Sequence, residues 1–162
     1  MKIRYCNRDG FIDYNDLATQ STPIAYTTGT IKITNDGAWP YGDSANKSPM
    51  VTRLWNTATG QFDFSQLSIG DQVFIRCDIV VTTSTPNQEV ELDYVMDIWW
   101  ANYTVHCINQ YFKTAKAYHL WQTTDIYIGN VGTKNNPAEL RFQSDWACSI
   151  KVNWFYISTK RK

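Results

Sequence analysis

The sequence predicts an all-β fold: an antiparallel β-sandwich of jelly-roll type, with eight or nine strands and little helix. Three observations carry this. Two long stretches, 73–82 and 89–100, alternate in character with a period of two. Aromatic residues reach 15%, and with Thr, Val and Ile they favour strands. No segment of ten residues holds an apolar period of 3.6.

The elements follow in order. Residues 1–25 are mostly polar, running through Asp9-Gly10-Phe11-Ile12-Asp13-Tyr14-Asn15-Asp16, and read as an extended N-terminal arm with one short strand. Residues 26–162 read as a single sandwich domain, with no internal repeat and no linker. Tyr26 to Thr34 alternates weakly around Ile31 and Ile33. Residues 35–49 are rich in Gly, Pro, Asn and Asp and predict a long loop around Trp39-Pro40-Tyr41; loops of that length tend to serve function. Val51 to Trp55, a turn at 56–60, and Gln61 to Ser65 come next. A turn at Leu67-Ser68-Ile69-Gly70-Asp71 launches the clearest strand, with Val73, Ile75, Cys77, Ile79 and Val81 on one face. Phe74, Arg76, Asp78, Val80 and Thr82 take the other. After Ser84-Thr85-Pro86-Asn87, a second long strand sets Val90, Leu92, Tyr94, Met96, Ile98 and Trp100 opposite Glu89, Glu91, Asp93 and Asp97. The short turn predicts that these two strands pair as a hairpin. Shorter strands follow at 103–108, 117–121, 126–128 and around Leu140 and Phe142. The last strand alternates over Cys148, Ile150, Val152, Trp154 and Tyr156.

Charge and composition exclude several classes. Fifteen basic residues balance fifteen acidic ones, for a net charge of zero, which argues against nucleic-acid binding by bulk charge. No apolar run approaches the ~20 residues of a membrane-spanning helix, so no membrane insertion is expected. Met1 to Arg8 has no apolar run behind its basic residues and does not read as a secretory signal. Cys6, Cys77, Cys107 and Cys148 form no C-x-x-C pair and read as free thiols, Cys77 and Cys148 as small core hydrophobes.

Catalytic chemistry has little to stand on. Glu89, Glu91, Asp93 and Asp97 share a strand face on which side chains two apart lie about 6.6 Å from each other (two residues at ~3.3 Å rise), a spacing that could pair carboxylates for glycosidic cleavage. A solvated strand face, or one meeting basic residues, has the same pattern and is the preferred reading. His106 and His119 have no partner at ligand spacing, so no metal is expected. Neither a phosphate-binding glycine loop nor a G-x-S-x-G elbow occurs. The chain is expected to be no enzyme and to need no cofactor. Asn46-Lys47-Ser48 and Asn102-Tyr103-Thr104 match a glycosylation triplet that is common by chance. Lys160-Arg161-Lys162, with Lys2, Arg4 and Arg8, could form two clamps for an acidic surface, but simple solubility at a chain end is the preferred reading.

Several segments resemble small structural proteins of tailed bacteriophages. They are Asp13-Tyr14-Asn15-Asp16-Leu17-Ala18-Thr19, Lys32-Ile33-Thr34-Asn35-Asp36-Gly37-Ala38, and Phe62-Asp63-Phe64-Ser65 followed by Gly70-Asp71 and the strand to Thr83. Tyr111-Phe112-Lys113-Thr114-Ala115, Tyr127-Ile128-Gly129-Asn130 and Asn136-Pro137-Ala138 extend the likeness over most of the chain. The resemblance implies a virion component, a homotrimer without enzymatic role, assembled in the host cytoplasm and carried on the particle's exterior. Its expected seat is capsid decoration, cementing the head through the major capsid protein. The alternative is a tail or fibre protein that binds a host surface glycan. On this reading Arg4, Arg8, Phe11 and Tyr14 of the arm contact the capsid or another partner. Trp39 and Tyr41 offer a loop contact or a platform for glycan stacking, and Trp99, Trp100 and Trp121, bulkier than the resemblance leads one to expect, offer subunit contacts.

Overall fold

A strand with one apolar face needs a second apolar surface opposite it, and the computed structural model of the chain supplies one. Residues 10–41, 51, 53–160 and 162 are described, the side chains at 39–41 excepted. The first strand, β1, is Gly10–Asn15, followed by the single-turn helix α1 at Ala18–Ser21. Three short strands come next, β2 (Ile24–Tyr26), β3 (Thr30–Lys32) and β4 (Ala38–Tyr41), then the two-residue strands β5 (Trp55–Asn56) and β6 (Gln61–Phe62). Four long strands form the body: β7 (Gln72–Thr83), β8 (Gln88–Met96), β9 (Tyr103–Phe112) and β10 (Ala117–Tyr127). The helix α2 (Val131–Asn135) precedes β11 (Glu139–Ser144) and β12 (Cys148–Lys160).

These strands form two antiparallel sheets. The larger runs β10-β7-β12-β1-β4, with β2 also paired to β12; the smaller runs β3-β11-β8-β9, and β5 and β6 form a separate ribbon. The all-β sandwich predicted from the sequence is the observed architecture. It has more strands than the eight or nine expected, because β2, β3, β5 and β6 are too short to leave a period in the sequence. Val73, Ile75, Cys77, Ile79 and Val81 of β7 and Val90, Leu92, Tyr94 and Met96 of β8 are all buried in the core between the sheets. A cluster of rings fills its middle. Trp55 meets Phe62 at 4.7 Å and Phe155 at 5.0 Å between centroids, and Phe62 meets Tyr94 at 5.6 Å. The buried Trp55 Nε1 donates to the Asn35 carbonyl at 2.9 Å, which satisfies its one polar atom.

Four expectations are corrected. First, residues 10–25 are no free arm. β1 pairs with β12 from Gly10↔Thr159 to Asn15↔Trp154, and Ile12 and Tyr14 are buried. The polar residues misled because Asp13 and Asn15 occupy the outward face of a strand whose inward face is apolar. Buried Asp16 then accepts from the Ala18 and Thr19 amides at 3.0 and 3.3 Å and from the Thr19 hydroxyl at 2.7 Å, fixing the turn into α1. The boundary expected between residues 25 and 26 therefore divides a single sheet. Residues 1–9 lie outside the described residues.

Second, β7 and β8 do not pair as a hairpin. β7 pairs with β10 and β12, whereas β8 pairs with β9 and β11. The turn at 84–87, with Asn87 at φ 59°, carries the chain from one sheet to the other. Side-by-side pairing would leave two apolar faces pointing the same way; facing each other across the sandwich, they bury one another. β8 also ends at Met96, where Asp97 takes φ 53°, so Ile98 and Trp100 are not strand positions.

Third, 117–121 and 126–128 belong to one strand, because β10 pairs with β7 without a break from Ala117↔Thr82 to Tyr127↔Gln72. Its buried positions include Thr124, which interrupts the apolar period.

Fourth, the alternation of β12 changes phase. Val152 lies opposite Ile79 and Trp154 opposite Asp78, leaving Asn153 as a β-bulge. Beyond it Phe155 and Ile157 are buried, and Trp154 and Tyr156 turn to the outer face.

Candidate functional site

The bulge at Asn153 shapes an aromatic surface on the outer face of the larger sheet. A shift of one residue exchanges the faces of a strand. Here it carries Trp154 and Tyr156 out of the core and onto the outer face of the larger sheet, beside the outward residues of β7 and β1. The sheet register sets them in rows. Thr123, Arg76, Tyr156 and Asp13 align across β10, β7, β12 and β1. The adjacent row is Trp121, Asp78, Trp154 and Asn15. On the far side Phe74 pairs with Ser158, and Ser158 with Phe11.

Most of these residues line a groove of about 610 Å³, with Phe11, Asp78 and Trp121 outside its lining. Such a volume falls within the ~300–1,000 Å³ of small-molecule sites. Its ring faces come from Phe74, Trp154 and Tyr156, and Asp13, Arg76 and Ser158 supply polar groups. Phe11 stacks on Tyr156 at 5.2 Å between centroids and holds that ring from behind.

Arg76 is the unusual group. Its guanidinium carbon lies 4.6 Å from the Trp121 ring and 4.9 Å from the Trp154 ring, which belong to the two flanking strands. No carboxylate pairs with it among the described residues, and its buried Nε has no hydrogen-bond partner. A buried donor left unsatisfied costs about 1–3 kcal/mol. Two strands away, partial burial pushes the Asp13 carboxyl above its usual pKa. Beside the groove, Asp78 is engaged: its Oδ1 lies 2.6 Å from His119 Nε2 and accepts from Asn153 Nδ2, also at 2.6 Å.

The sequence-predicted residues scatter around this groove. Phe11 supports it and Trp121, 62% exposed, borders it. Tyr14 is a core residue rather than a surface contact: its hydroxyl accepts from the Leu54 amide at 3.2 Å, and its carbonyl accepts from Asn35 Nδ2 at 3.0 Å. Trp39 and Tyr41 belong to β4, and their side chains lie outside the described residues, as do Arg4 and Arg8. Trp99 and Trp100, 69% and 89% exposed, sit at the end of the sandwich where β8 gives way to β9. Tyr103, Tyr127 and Val131 are exposed at the same end.

The acidic stripe is structural. Asp93 Oδ1 lies 2.9 Å from His106 Nδ1, and Glu91 accepts from Asn109 Nδ2 at 3.2 Å, in each case across the β8–β9 pair. Asp97 is buried off the stripe and accepts from the Asn136 side chain. Glu139 on neighbouring β11 follows the same logic. Burial opposes its charge, but hydrogen bonds from Gln61 and Arg141, with the charges of Arg141 and Lys32, outweigh it and hold the carboxyl below its usual range. Among the described residues, no three His, Cys, Asp or Glu side chains gather to hold a metal ion.

Sequence reasoning missed Arg76, Trp154, Tyr156 and Asp13 as one site. The available signal was an arginine and two large rings at outward strand positions, but the bulge concealed the second part of it.

No family model matches the sequence, and no curated protein matches it. Solved structures share its fold. A chain of the T13 particle of infectious bursal disease virus superposes with TM-score 0.53 at 8% identity, over 94% of this chain and 31% of that one. This chain thus spans about a third of that viral chain. The Eiger TNF of S. frugiperda superposes with TM-score 0.50 at 11% identity, over 96% of this chain and 94% of that one. At such identities the likeness concerns the fold alone, and that fold is the jelly-roll sandwich.

Proposed function

We propose that the chain is a non-enzymatic structural protein of a virion, seated on the capsid as a decoration protein. The observation that carries this reading is the likeness of nearly the whole chain to part of a chain in an icosahedral virus particle. The resemblance of its segments to tailed-phage structural proteins points the same way. The exposed end of the sandwich gives the reading a physical basis. Trp99, Trp100, Tyr103, Tyr127 and Val131 expose large apolar surfaces there, and such a cluster is stabilised by a protein surface that covers it. A further copy of the chain around a threefold axis, or a capsid subunit, would serve.

A second reading, host adhesion through a glycan, is favoured by one observation: the groove that joins ring faces to polar groups. Co-sedimentation tests the first. Purified particles banded in a density gradient should carry the chain at a fixed ratio to the shell protein. The double variant Trp99→Ala, Trp100→Ala should fold normally and band with particles at reduced occupancy. A chain that stays at the top of the gradient refutes the virion reading.

A further inference from the structure

We propose that the groove on the outer face of the larger sheet binds a carboxylate-bearing sugar ring, with its acid group at Arg76 and its hydroxyls toward Asp13. The inference deepens the adhesion reading and rests on it for its biological purpose. Binding itself is measured on the isolated chain, so its failure is separate from a failure to find the chain on particles.

A guanidinium is a planar fork of donors suited to a carboxylate. Among the described residues no carboxylate pairs with Arg76, and its buried Nε has no hydrogen-bond acceptor. Trp121 and Trp154 occupy the positions beside it, so an acceptor has to arrive from the groove that Arg76 lines. Nearby Asp78 is held by His119 and Asn153 and is not available to it.

The remaining lining suits a pyranose. Tyr156 stands between Arg76 and Asp13 in the same row. Strands about 4.8 Å apart put the Arg76 and Asp13 backbones roughly 9.6 Å apart, room for one sugar ring with both its ends engaged. The Tyr156 and Trp154 rings offer flat apolar faces to the C–H face of such a ring. Asp13 accepts hydroxyl hydrogen bonds, and Ser158 can give or accept one. A neutral sugar would use the rings and Asp13 but leave Arg76 without its anion. A simple carboxylate would use Arg76 and leave the rings bare. A hexuronate or a sialic acid uses both.

The test is a titration of the full chain, followed by tryptophan fluorescence and by saturation-transfer NMR. Sodium D-glucuronate, D-galacturonate and N-acetylneuraminate are the probes, with D-glucose and D-galactose as neutral comparators. At least one acidic sugar should bind saturably and about tenfold or more tighter than its neutral comparator, the ratio expected of one charge-assisted hydrogen bond. R76Q should abolish that preference, and R76K, which keeps the charge but not the fork, should recover only part of it. W154A and D13N should weaken acidic and neutral sugars alike. Each variant is checked by its melting curve; if R76Q does not fold, R76K decides, and an R76K protein that keeps the full preference overturns the proposal. Binding of none of the acidic sugars, equal binding of acidic and neutral sugars, or an R76Q protein that keeps the preference overturns the proposal.

Discussion

The bulge at Asn153 makes a sharp prediction, because Val152 and Trp154 on either side of it already face consecutive residues of β7, Ile79 and Asp78. Deleting Asn153 joins them directly, leaves a regular strand, and keeps Phe155 and Ile157 inward with Trp154 and Tyr156 outward. If the pairing ran regularly through Asn153 instead, the same deletion would turn the fully buried Phe155 and Ile157 out, at about 1.5–3 kcal/mol each, and roughly 3–6 kcal/mol would be lost. With the bulge, the deletion removes only the 2.6 Å amide bond to Asp78, and the variant should stay folded. Asn153→Ala keeps the bulge and removes the same bond. A hydrogen bond to a charged group contributes about 1.5–3 kcal/mol. With a urea slope of about 2 kcal/mol per molar, the unfolding midpoint should fall by about 1 M. Urea melts followed by tryptophan fluorescence and far-ultraviolet circular dichroism read both variants. A deletion variant that is unfolded at room temperature would refute the bulge, and with it the origin of the groove.

Other consequences are more local. Ile12→Ala, in β1, should cost about 2–5 kcal/mol in a urea melt, as a core residue does; an unchanged midpoint would restore the free-arm reading of this segment. Tyr14→Phe should cost about 1–3 kcal/mol, because it removes the acceptor of the buried Leu54 amide. Alkaline pH should destabilise the fold, because burial pushes Cys148 up to about 11. This thiol keeps its proton in the folded chain at a pH where the unfolded chain has lost it. Stability is therefore full below about pH 8.5 and declines as pH rises from there through 11, which thermal melts across that range would read. The double variant Trp99→Ala, Trp100→Ala should leave the melting curve of the isolated chain within about 0.5 kcal/mol of the parent, since both side chains are exposed.

How much of this was legible in the sequence depends on how local the determining contacts are. The alternation of β7 identified its buried face residue by residue, because a single strand carries that information within itself. Which strand lies beside β7 is not in that pattern, and so the turn at 84–87 read as a hairpin when it is a crossing between sheets. The same limit hid β1: Ile12 and Tyr14 are only two apolar positions among polar neighbours, and their burial depends on β12, more than a hundred residues away. The groove was concealed for a different reason. A period of two extrapolated through Asn153 assigns Trp154 and Tyr156 to the core, and one unpaired residue reverses that assignment. Trp99, Trp100 and Trp121, all exposed, stood out in the sequence because they needed no partner strand to be noticed. Yet only Trp121 borders the groove, since its row is set by pairing with Asp78 on β7.

The claim that the chain is a capsid structural protein is tested most directly by immunogold labelling of intact virus particles with antibody against this chain. The account predicts gold over the heads. Gold confined to tails would contradict the decoration seat and favour adhesion, and particles without label would contradict the virion reading altogether.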